Sequence, residues 1–122
     1  MIERVPEQYL YAGINGRLAR LPIKDIDWIQ AQRNYVMVHT GVAKHRIRST
    51  LRNLALMPGM NAFLQIHRSL LINTAQVAAL RMQSSNNLEI ILRNSTALRV
   101  GRQYIEPVRA RLHPKLESLQ NA

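Results

Sequence analysis

The side chains of this sequence that could do chemistry are overwhelmingly cationic. Fourteen arginines and three lysines stand against seven acids, for a net charge of +10 over 122 residues. The planar guanidinium fork suits phosphate oxygens and guanine edges better than an ammonium does, so the excess of arginine over lysine is itself directional. The charge is also unevenly placed. From Trp28 to Leu88 there is no Asp or Glu, yet Arg33, Lys44, Arg46, Arg48, Arg52, Arg68 and Arg81 all fall there. A surface neutralised by salt bridges would need acids that the chain does not carry. The pattern calls for a polyanionic partner, with nucleic acid ahead of an acidic membrane surface.

Catalysis finds little support. The acids Glu3, Glu7, Asp25, Asp27, Glu89, Glu106 and Glu117 lie mostly near predicted strand ends or chain ends, and no pair is spaced to bracket a substrate. Ser69, His67 and Asp25 could form a triad only by tertiary contact, and no nucleophile-elbow sequence surrounds Ser69. His39, His45, His67 and His113 lack the spacing of helical metal ligands, and the five glycines are too scattered for a phosphate loop. Cysteine is absent, which removes disulfides, thiolate metal sites and thiol nucleophiles. The expectation is a binding module with no enzymatic activity, cofactor or metal.

The elements that must position the cations are mostly strands. Length allows one domain, residues 1–122, and 47% hydrophobic residues allow a modest core. Tyr9 to Ile14 and Leu18 to Ile23 flank Asn15-Gly16, the strongest short hairpin signal. Ile26 to Gln32 and Tyr35 to Thr40 pair around Arg33-Asn34, with Val36 and Val38 alternating against Tyr35, Met37 and His39. Lys44 to Ser49 continues as a strand with Lys44, Arg46 and Arg48 on one face, about 6.5 to 7 Å apart. That row suits phosphates, and equally suits an edge strand kept from aggregating by charge. A short helix capped by Ser49 or Thr50 carries Leu51, Leu54 and Ala55 and stops at Pro58-Gly59. Phe63 to Ile66, Leu70 to Ile72, Val77 to Met82, Leu88 to Leu92 and Leu98 to Val100 read as strands, with turns at Asn86-Asn87 and Asn94-Ser95. A short C-terminal helix runs from about Ile105 to Leu112, with Ile105, Val108 and Leu112 on one side, and the tail after Pro114 has little to bury. Trp28 and Phe63 belong to the core, Asn73 is a turn-maker or strand cap, and Arg81, Arg93 and Arg99 are solvated strand residues. The opening Met-Ile-Glu-Arg-Val-Pro lacks the character of a signal peptide, and the apolar runs are too short for a membrane span, so the chain is expected in the cytoplasm.

The middle of the chain carries a specific resemblance. Asp25-Ile26-Asp27-Trp28-Ile29, Arg33-Asn34-Tyr35-Val36, Ser49-Thr50-Leu51 and above all Phe63-x-x-Ile66-His67-Arg68-Ser69 with Asn73 four residues on resemble the LytTR DNA-binding domain family of bacterial transcription regulators. Leu98-Arg99-Val100-Gly101-Arg102-Gln103-Tyr104 fits its closing strand and basic turn, so the match covers about Asn15 to Leu112. The resemblance implies a mainly β, elongated antiparallel fold whose loops enter successive major grooves of double-stranded DNA. Its base-reading positions fall on Asn34, Arg68 and Arg102, three loops on one edge. Charge and position add Arg33, Lys44, Arg46, Arg48 and Ser69 as phosphate contacts, with His67 and Gln103 as adjoining candidates. His67 reads either as a direct contact or as a partly buried side chain that orients its loop. Gln65 stands where a basic residue is common, Leu70 where an aromatic is, Gly101 where a serine is, and Asn94-Ser95 where Asn-Gly is. The family also implies a second copy on an adjacent direct repeat and a role as the output module of a two-component response regulator or a stand-alone regulator. A receiver domain has no room in this chain, so an N-terminal regulatory domain or partner would be separate. An RNA-binding module using the same basic surface is the alternative, disfavoured by the scarcity of exposed aromatics.

Overall fold

The computed structural model describes the backbone of residues 7–14, 16–41 and 43–120, so the opening hexapeptide and Asn15 of the expected turn lie outside the described residues. The chain divides into two compact units, Met1–Asn61 and Ala62–Ala122.

In the first unit, β1 (Tyr9–Ile14) and β2 (Arg17–Pro22) pair antiparallel with Ile14 opposite Arg17. The two-residue connection needs a positive φ, which Gly16 supplies at +76°. The second strand ends at Pro22 rather than at Ile23, and Ile23–Asp25 turns as a 3₁₀ segment that buries Ile23. Three strands then form an antiparallel meander: β3 (Ile26–Gln32), β4 (Tyr35–Thr40) and β5 (Lys44–Ile47), with β5 at the sheet's edge. Strand parity divides their side chains. Ile29 lies opposite Val38 and Val36 opposite Ile47, and Ile29, Val36 and Val38 are wholly buried. Trp28, Gln30 and Gln32 of β3, Tyr35, Met37 and His39 of β4, and Lys44 and Arg46 of β5 take the reverse face. Trp28 is therefore not a core residue. It is half-buried, its ring stacked on that of His39 at 3.7 Å between centroids and 2° between planes.

The internal helix, α1 (Leu51–Ala55), buries Leu51 and Leu54, and Thr50 rather than Ser49 caps it: its Oγ1 accepts the Asn53 N–H at 3.0 Å. It closes before Pro58-Gly59 because the residue preceding a proline is pushed out of helical conformation.

The second unit begins with a hairpin of β6 (Phe63–His67) and β7 (Leu70–Asn73). Asn73 is buried and its Oδ1 accepts the Ala75 N–H at 3.0 Å, capping a 3₁₀ turn at Thr74–Gln76. Next comes a sheet in the order β10-β9-β8, from β8 (Val77–Ser84), β9 (Asn87–Leu92) and β10 (Ala97–Arg99). Leu88, Ile90 and Leu92 form its buried row. Arg81 is not simply solvated, since it faces Glu89 across the ladder and pairs with it at 2.7 Å. Edge strand β8 is nearly all exposed past Val77, and irregularities at Val77/Ala79 and Met82/Ser84 break the flat edge that would template aggregation.

The C-terminal helix, α2 (Ile105–Gln120), buries the expected Ile105, Val108 and Leu112 but is not short. The sequence carries the apolar spacing on past Leu112, to Leu116 and Leu119 at i+4 and i+7, which suits a longer helix despite Pro114, whose ring and missing N–H disfavour a helix interior.

Thr50→Ala should lower stability by about 1 kcal/mol, because it orphans the Asn53 amide, whereas Thr50→Ser should retain it. Urea unfolding followed by far-ultraviolet circular dichroism measures the difference.

Candidate nucleic-acid interface

Residues 33 and 34 alone join β3 to β4, since Gln32 pairs directly with Tyr35. Arg33 sits at φ +56°, a conformation that glycine adopts most easily, and both Arg33 and Asn34 project into solvent. Tyr35 is 39% exposed, and the Arg46 guanidinium lies over its ring with Cζ 5.5 Å from the centroid. Lys44 and Arg46 are exposed on the same face of β5, as alternation requires. Arg48 does not complete the row, because β5 stops at Ile47 and Arg48 is exposed in the bend beyond it.

His39 lies between Trp28 and Lys44 in the ladder. Its Nε2 is buried with no hydrogen-bond partner among the described residues. Burial, and secondarily the Lys44 ammonium, hold its pKa below the ordinary histidine value, since both oppose a charged ring.

The β6–β7 turn presents His67, Arg68 and Ser69. The Ser69 amide donates to His67 Nδ1 at 3.1 Å and the Ser69 Oγ lies 2.9 Å from the same nitrogen. Nδ1 is thus an acceptor, so the neutral ring carries its proton on Nε2. The Gln65 side-chain amide reaches the Arg68 carbonyl at 3.5 Å. Gln65 thereby spans the turn from the position where the family resemblance leads one to expect a cation. The side chain of Arg68 is exposed.

A second turn is fastened to this one. The Gly101 N–H donates to the Ile66 carbonyl at 2.8 Å, at a register shift of β6 between Gln65 and His67. A Cβ on Gly101 would stand 3.2 Å from Tyr104 Cδ2 and 3.3 Å from His67 Cδ2, tighter than ordinary contact. A side chain at 101 would have to displace one of these rings by a few tenths of an ångström. Arg102 and Gln103 follow, both exposed, on a 3₁₀ turn at Arg102–Tyr104 that leads into α2.

The structure thus brings Arg68 and Arg102 onto adjoining turns of one unit, together with His67, Ser69 and Gln103. Asn34 belongs to the other unit, in company with Arg33, Lys44, Arg46 and Arg48. Among the described residues no ion pair forms to Arg33, Lys44, Arg46, Arg48, Arg68 or Arg102. The sequence reading missed the Tyr35–Arg46 contact, which follows from the β4–β5 register: Met37 pairs with Arg46, and Tyr35 is thereby diagonal to it. No described helix is long and apolar enough to cross a membrane.

Comparison with known proteins gives a consistent result. The sequence model of the LytTr DNA-binding domain matches residues 16–113. The transcriptional regulatory protein BtsR of Escherichia coli is 27% identical over 96 residues, covering 78% of this chain and 39% of that protein. Its Salmonella typhi counterpart is 26% identical over the same length. The chain therefore spans about two-fifths of the curated relatives it matches. The solved LytTr DNA-binding domain of a response regulator from Bacillus cereus superposes with a TM-score of 0.76 at 13% identity, over 86% of this chain and 96% of that one, which establishes the mainly β fold.

The depressed pKa of His39 fixes the sign of a pH effect. The unfolded chain takes up the proton more readily, so this contribution is fully present above about pH 6.5, the ordinary histidine value, and is lost as the pH falls through the lower folded value. Asp27, raised by burial and then by Asp25, has the opposite sign. Melting temperatures measured from pH 8 to 5 should decline on the acid side, and His39→Phe should flatten that decline.

Proposed function

The chain belongs to the LytTR family of DNA-binding domains, and from that premise we propose that it recognises double-stranded DNA sequence-specifically through turns, without a helix laid in the groove. The observation that carries this reading is the fastening of the Arg102 turn to the Arg68 turn through Gly101 and Ile66. It offers two unpaired guanidiniums on adjoining, backbone-anchored supports. Each can donate two parallel hydrogen bonds to O6 and N7 of a guanine in the major groove, and Asn34 can do the same to N6 and N7 of an adenine. Each such pair discriminates by ~1 to 3 kcal/mol.

Affinity comes from the phosphates. Arg33, Lys44, Arg46, Arg48 and Ser69 are the phosphate contacts, and each cation displaces condensed counterions on binding. His67 presents its Nε2 edge beside Arg68, and Gln103 offers an amide beside Arg102. The whole chain acts as one module, with its core over about residues 15–112. It serves in the cytoplasm as the DNA-binding part of a bacterial transcription regulator, with a second copy on a neighbouring direct repeat and regulation from a domain or partner further along the signalling route. The names of its relatives, transcriptional regulatory proteins, support the regulatory role.

Site selection from a random duplex pool, followed by titration of matched and scrambled duplexes at several salt concentrations, tests the scheme. Arg68→Ala and Arg102→Ala should lose affinity for the matched duplex and relax base preference. Lys44→Ala should weaken both duplexes alike and flatten the salt slope by about one unit. Equal loss on both duplexes for Arg68→Ala would remove its reading role, and tighter binding of structured RNA than of any duplex would overturn the choice of nucleic acid.

A further inference from the structure

We propose that Tyr35 is a positioning residue for phosphate binding: its ring holds the Arg46 guanidinium on the exposed face of the sheet and couples that cation to the Asn34 turn. The inference rests on the duplex-binding reading above and adds a residue to it.

Backbone and side-chain geometry both point to the coupling. Tyr35 is the first residue of β4 and directly follows Asn34, while Arg46 lies on edge strand β5, across from Met37. The two side chains share one face and meet diagonally, with the guanidinium carbon 5.5 Å from the ring centroid. Arg46 forms no ion pair among the described residues, and its guanidinium lies over the Tyr35 ring. An arginine stem on an edge strand is otherwise free to sweep through many rotamers, and ordering it at the moment of binding costs free energy. A guanidinium lying over a ring keeps its N–H groups directed outward around its rim, where phosphate oxygens can accept from them, so the aromatic contact and the phosphate contact do not compete. Tyr35 also stands next to the turn that carries Asn34, so the same ring orders a cation beside a base-reading position. A tyrosine that served only to cover the sheet would not need to be 39% exposed.

The test compares Tyr35→Phe, Tyr35→Leu, Arg46→Ala and the double variant Tyr35→Leu/Arg46→Ala, using the selected duplex and a scrambled duplex over a range of salt. Thermal melting of each variant verifies folding. Tyr35→Phe keeps the ring and should bind like the unaltered protein. Tyr35→Leu should bind both duplexes about two- to fivefold more weakly, the range an exposed cation–π contact supports, with its salt slope moving toward that of Arg46→Ala. The double variant should be no weaker than Arg46→Ala alone. Additive losses in the double variant, or a Tyr35→Phe defect equal to that of Tyr35→Leu, would overturn the positioning role. If Arg46→Ala itself binds and responds to salt like the unaltered protein, then the phosphate assignment of Arg46 fails and takes the inference with it. A loss for Arg46→Ala with none for Tyr35→Leu leaves that assignment standing and refutes Tyr35 alone.

Discussion

Strand parity is the constraint on which this binding surface depends. In β3 and β4 the residues Ile29, Val36 and Val38 have no exposure at all, and their neighbours along each strand necessarily point the other way. Slipping one strand by a single residue would send the valines to water and the polar face into the core. The burial of a few branched side chains therefore decides that Tyr35, Lys44 and Arg46 share a face, and that Arg33 and Asn34 stand at a turn tip. No attraction among the cations is needed to gather them, and none exists, since like charges repel. The core places them against their own electrostatics.

In the second unit a different device does the corresponding work. The β6–β7 turn is short and polar, and hydrophobic burial cannot fix it from within. It is held by hydrogen bonds: the Ser69 amide to His67, the Gln65 amide to the Arg68 carbonyl, and the Gly101 amide to the Ile66 carbonyl. The last of these brings a segment some thirty-five positions later in the chain into contact with the turn. Glycine at 101 leaves room for the rings of His67 and Tyr104. Gln65 gives up a charge and braces the turn.

Much of this could be read in the residues. Apolar runs bounded by turn residues gave β1, β3 and β4 to the residue, and β4 alternates as a strand with one buried face must. The cationic stretch between Trp28 and Leu88 announced the class of partner, and the Phe-x-x-Ile-His-Arg-Ser phrase announced the family. What escaped depends on contacts between residues that sequence keeps apart. Trp28 looked like core by type, but parity puts it with His39 on the reverse face. Arg48 looked like the third of a row, but whether a strand runs on past Ile47 depends on its pairing partner. The extension of α2 to Gln120 has Leu116 and Leu119 to signal it, but Pro114, a residue that ordinarily ends a helix, hides the signal. Gly101 was legible as a departure, though not as a packing requirement, since the ring it accommodates comes from another hairpin.

Arg33 brings these threads together. A non-glycine residue at φ +56° carries a steric cost of roughly 1–2 kcal/mol. The first position of a two-residue connection is where glycine would remove that cost. The other positive-φ positions among the described residues are Gly16, Gly59 and Ser95. An arginine at the β3–β4 tip gives up that relief and places a guanidinium beside Asn34. No described acid pairs with the side chain, so under the duplex-binding reading proposed above the guanidinium would be open to a phosphate, a contact whose worth rises as salt is lowered. This is the arrangement expected where a rigid sheet presents its recognition chemistry on its turns.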